Sequence, residues 1–68
     1  MDALSDRELQ VFRLIGQGRS TRQIAIALYL SIKTIESHRE HIKSKLSLET
    51  TAELAQHATR WVETGRSR

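Results

Sequence analysis

Helix-start signals recur along this chain, and they constrain its fold more than any other feature. Ser5 stands three residues before Glu8, Ser20 three before Gln23, and Thr50 three before Glu53. At that spacing the hydroxyl can accept the backbone N–H of the third residue, whose carboxylate or amide reaches back to the cap. Ser31 is a fourth cap candidate, without an acid or amide three residues on. Each signal precedes apolar residues at helical period, which predicts four helices. The first spans about 6–17 and buries Leu4, Val11, Phe12, Leu14 and Ile15. The second, about 21–29, buries Ile24, Ala25 and Leu28; the third, about 32–46, buries Ile35, Ile42 and Leu46. The fourth, about 51–63, buries Leu54, Ala55, Ala58, Trp61 and Val62. Gly16 and Gly18 fall at the end of the first helix, where a left-handed residue is easily accommodated, and Gly65 ends the fourth. With no proline to interrupt these periods, the reading is a compact all-α four-helix domain, one unit over 1–68.

A chain of 68 residues has room for one core, and no cysteine is present to supplement it with disulfides or thiolate metal sites. No apolar run approaches the roughly 18 residues of a membrane span, and no signal-peptide pattern opens the chain. A cytoplasmic protein without membrane contact is the default. The first capped helix starts so close to Met1 that no further domain fits before it, so the expectation is a piece of a longer chain. The formal charge is +3, and +2 of it falls in residues 31–46, where Lys33, Arg39, Lys43 and Lys45 outnumber Glu36 and Glu40. That bias permits nucleic-acid binding without requiring it.

The central pair of helices is the informative one. A short helix, a few linking residues and a longer helix, here about 20–39, have the proportions of a helix-turn-helix. Its second helix is of a size to enter the major groove. With Ile35, Ile42 and Leu46 facing inward, Lys33, Ser37, Glu40 and Ser44 face outward, flanked by Thr34, Glu36, His41 and Lys43. This polar, partly short-chained face can approach base edges. A stable bundle with a solvated charged face is the equal alternative on periodicity and charge alone. His38 and His41 lack the further ligands a metal site needs, and His38 reads as a packed, hydrogen-bonded side chain. Trp61 reads as closing the core against the first helix. No phosphate loop or nucleophile–base constellation is present, so neither catalysis nor a cofactor is expected.

Three stretches resemble one known family. LSDRELQVFRLIGQG at 4–18, RSTRQIAIALYLSIKTIESH at 19–38 and IKSKLSL at 42–48 are similar to the LuxR-type helix-turn-helix domain, the output domain of bacterial response regulators and quorum-sensing regulators. The resemblance runs from Leu4 to about Val62. It implies sequence-specific binding of double-stranded DNA by a transcription regulator, with the third helix in the major groove. It implies base reading by Glu36, Ser37 and Glu40, with Lys33 beside them at the bases or a phosphate. Phosphate contacts are implied at Ser20, Thr21, Arg22, Thr34, Arg39, Lys43 and Lys45. The fourth helix would form a two-fold dimer contact through Glu53, Gln56, His57 and Arg60, on an inverted-repeat operator. RNA polymerase is a further candidate partner.

Departures from the family pattern bear on these expectations. Glu36 and Glu40 stand where basic or amide side chains often occur. An acid repels phosphate, yet it can accept a hydrogen bond from a base amino group, and the resemblance favours that role for Glu36 over Glu40. Ser47 replaces the usual glycine after Lys45-Leu46, and Tyr29 holds the turn position where generic helix-turn-helix units prefer glycine. Two rival functions remain: the promoter-binding region of a sigma factor, which the extra helix at 50–62 argues against, and a helical protein-interaction module that binds no DNA. Salt-dependent binding to duplex DNA separates the last from the others.

Overall fold

The structure is a computed structural model and describes residues 4–64. It contains four helices: α1 (Asp6–Gly16), α2 (Thr21–Leu28), α3 (Ile32–Lys45) and α4 (Thr51–Thr64). Each begins where the caps predict. Ser5 and Ser20 form complete capping boxes with Glu8 and Gln23. Thr50 Oγ1 accepts the Glu53 N–H at 3.1 Å while Glu53 Oε1 takes the N–H groups of Thr50 and Glu49. Ser31, lacking an acid at that spacing, caps α3 through the Thr34 N–H at 3.0 Å and shares a hydroxyl bond with Thr34 at 2.9 Å. Gly65, expected to end α4, lies outside the described residues.

The first three helices end alike. In each, one residue turns left-handed: Gly18 at φ 87, Tyr29 at φ 59 and Ser47 at φ 59. The next N–H then reaches back five residues, Arg19 to Leu14, Leu30 to Ala25 and Leu48 to Lys43, at 2.8–3.1 Å. This motif satisfies carbonyls that a helix end would otherwise leave bare. Glycine suits the left-handed position, yet only one of the three helix ends has it. Leu30 and Leu48 offset the strain by packing against the core.

Gly16 departs from the expectation. It is the last residue of α1 and is not left-handed. Its hydrogen faces α4, where a β-carbon would collide with the Ala58 carbonyl and Val62. The glycine lets α1 and α4 approach closely, and these two helices form the largest contact in the domain. Phe12 and Trp61 meet across that contact with ring centroids 5.5 Å apart, and the Arg13 guanidinium lies 6.0 Å from the Trp61 ring.

The core is smaller than the periodicity predicts. Val11, Phe12, Ile15, Ile24, Ala25, Ile35, Ile42, Leu54 and Ala58, with Leu4, are buried. Leu14, Leu28, Leu46, Ala55, Trp61 and Val62 are half-buried around them, because a domain this small has little interior beyond one layer. His38 also differs: its Nδ1 is buried but has no hydrogen-bond partner among the described residues.

Among the described residues, one charged side chain lies inside. Glu8 is buried, and its Oε1 accepts from Lys45 Nζ at 2.7 Å and from the Ser5 N–H at 3.0 Å. His41 Nδ1 stands 3.9 Å from the other oxygen. The Lys45 bond, then the Ser5 N–H, hold the Glu8 carboxyl below the usual glutamate range against the opposing effect of burial. One side chain thus caps α1 and ties its start to the end of α3.

Candidate nucleic-acid interface

α2 and α3 are joined by Tyr29, Leu30 and Ser31, and they pack on each other and on α1. Anchored by Ile35 and Ile42, α3 turns its other side outward. An open groove runs along that side, lined by Thr21, Lys33, Glu36, Ser37, Arg39, Glu40 and Thr51. The four side chains expected to read bases, Lys33, Glu36, Ser37 and Glu40, therefore share one surface. The first residue of α2 and the first of α4 border it.

The residues expected at phosphates separate into groups. Thr21 and Arg39 both line the groove, and Arg39 donates to Thr21 Oγ1 at 2.5 Å, which fixes the start of α2 against α3. Arg22 is exposed and has no partner among the described residues. Ser20 and Thr34 spend their hydroxyls on the helix caps. Lys43 Nζ pairs with Glu40 at 2.9 Å, and its side chain is 14% exposed. Lys45 is the counter-ion of buried Glu8. Neither pairing is visible in the sequence.

On α4, Glu53 is occupied by its own cap. Gln56 and Arg60 are exposed along a shallow furrow with Ala55, Thr59 and Glu63, while His57 is half-buried on the other side of Arg60, next to Trp61. Sequence reasoning missed Thr51 at the groove, the exposed Ile26 and Ile32, and the exposure of the turn residue Tyr29. The N-cap at Thr50 could have pointed to Thr51. Nothing in the periodicity singles out the other three. Among the described residues, no group of three or more His, Asp or Glu side chains could hold a metal ion, and no helix is long and apolar enough to cross a membrane.

A short helix, a three-residue turn and a longer helix with an open polar face define a helix-turn-helix domain. Residues 2–58 match the family described as bacterial regulatory proteins, luxR family. The chain belongs to that family, and it is the DNA-binding domain type of a transcription regulator. It is 44% identical over 55 residues to the oxygen regulatory protein NreC of Staphylococcus aureus strain JH9, and equally to NreC of strains JH1 and Mu3. The match covers 81% of this chain and 25% of each relative, so the chain spans about a quarter of their length. No solved structure matches it.

Proposed function

We propose that the domain reads duplex DNA by laying α3 in the major groove, with Lys33, Glu36 and Ser37 toward base edges and Glu40 beside them. The observation that carries this reading is the common groove of those four side chains, bordered by Thr21 and Thr51 at the starts of two other helices. The major groove is about 12 Å wide and admits one helix, which a face of short and medium polar side chains can bring close to the bases. Arg22, Thr21, Ser20, Thr34 and Arg39 then meet phosphates, which fix register without carrying sequence. Lys43 and Lys45 contribute less in this reading, because each already neutralises a carboxylate.

Two domains would meet through α4, with Gln56 and Arg60 central and His57 and Glu53 at the margin, on an inverted repeat. The role is binding, in the cytoplasm, within a regulator that acts on RNA polymerase. Dimethyl sulfate interference tests the groove assignment. Methylation of guanine N7, in the major groove, should block binding at discrete positions, while methylation of adenine N3, in the minor groove, should leave it intact. Interference from the minor groove alone would refute the reading.

A further inference from the structure

Among the described residues, two ionised side chains of the groove have no intramolecular partner, and they carry opposite charges. Arg39 donates to Thr21, and Glu40 Oε2 lies 2.9 Å from Lys43 Nζ. Lys33 and Glu36 stand three residues apart at the start of α3, both exposed and not paired with each other. The two acids therefore differ in what a DNA contact would cost them. The Lys43 side chain is 14% exposed and that of Glu40 70%, so water screens part of the attraction, but drawing Glu40 onto a base would still cost Lys43 the one carboxylate it pairs with among the described residues. Glu36 has no such partner to lose.

The chemistry of the free pair selects particular bases. An ammonium only donates and a carboxylate only accepts. In the major groove, guanine alone presents two adjacent acceptors, O6 and N7. Cytosine presents its 4-amino donor with no acceptor on the same base edge, whereas the adenine amino group sits beside N7, which repels a second carboxylate oxygen. Residues three apart are separated by about 4.5 Å along a helix, against about 3.4 Å between stacked base pairs. The two side chains thus reach one base pair or two adjoining ones.

We propose that Lys33 and Glu36 together read a guanine and a cytosine at one step of the bound site, and that Glu40 reads no base. The proposal rests on α3 lying in the major groove. The test is selection from a random duplex pool, at one fixed salt concentration, with the unaltered domain, Glu36→Gln, Lys33→Ala and Glu40→Gln. All three positions are exposed, and a cooperative thermal melt checks that each variant folds. The unaltered domain should fix a guanine and a cytosine at one step. Glu36→Gln should exchange that cytosine for adenine, because an amide both accepts from N6 and donates to N7, and it should bind the original site about tenfold less tightly. Lys33→Ala should lose the guanine preference alone. Glu40→Gln should leave every selected base unchanged and bind all duplexes more tightly. Unchanged bases with Glu36→Gln, a uniform loss with Lys33→Ala, or an altered base with Glu40→Gln would overturn the proposal while the groove assignment stands. If the unaltered domain selects no sequence, the groove assignment falls with it.

Discussion

Lys45→Ala should destabilise the domain by about 2 kcal/mol at neutral pH, more than Glu8→Gln does. Glu8 is 6% exposed, and Lys45 Nζ lies 2.7 Å from its Oε1. Removing one member of a buried pair costs about 3–5 kcal/mol, since the remaining charge stays in a poor solvent. Two features reduce that here. The Lys45 side chain is 42% exposed, so water screens part of the attraction, and the Ser5 N–H and His41 remain beside the carboxylate. Roughly half the range remains. For a domain of this size each kcal/mol is about 4–8 °C in Tm, so Tm should fall by roughly 8–16 °C. Glu8→Gln keeps the shape and an oxygen for the Ser5 N–H and returns Lys45 to water, so its cost should be nearer 1 kcal/mol.

The pH dependence has a definite sign. The Glu8 carboxyl is held below its ordinary value of 4.5. A lowered carboxyl pKa contributes stability that is complete above the ordinary value and is lost as pH falls through the folded one. The gap between the unaltered domain and Lys45→Ala should therefore close in acid, below pH 4.5. Circular dichroism melts across that range measure it. Equal Tm values at neutral pH, or a gap that persists undiminished in acid, would refute the reasoning.

Gly16→Ala should lose at least about 2 kcal/mol, because the new methyl meets the Ala58 backbone and α1 must separate from α4. Gly18→Ala, strained by its positive φ but unobstructed, should lose only about 1 kcal/mol, and urea unfolding midpoints compare the two. Ser47→Gly should stabilise by up to about 1 kcal/mol in the same assay, since Ser47 is left-handed and exposed.

The helix starts were legible in the sequence because capping is local: Ser5, Ser20, Ser31 and Thr50 each act within three residues. The left-handed turns at Tyr29 and Ser47 were legible only through the family resemblance, since neither residue type favours that conformation. The inward and outward faces of α3 followed from its period, which is why Lys33, Glu36, Ser37 and Glu40 were found together. What stayed hidden depended on contacts across the fold. Glu8 reads as an ordinary exposed cap residue until the chain brings Lys45, 37 positions away, onto it. Gly16 reads as a helix end until α4 packs over it. The Lys43–Glu40 pair has a sequence spacing that only sometimes yields a contact, so its presence, and the freedom of Lys33 and Glu36, required coordinates.

The salt dependence of duplex binding tests most directly whether this domain grips the DNA backbone while α3 reads the bases. Arg19 and Arg22 flank the start of α2 with no intramolecular partner among the described residues, and Arg39 of α3 is bonded there only to the neutral Thr21 hydroxyl, so three cations per domain are free to meet phosphates. Two domains on an inverted repeat would then neutralise about six phosphates, and each neutralised phosphate lowers the log–log slope by about 0.9. The expected slope is near −5 when log affinity is plotted against log salt concentration. A slope near zero, or no binding to duplex DNA at low salt, would contradict it.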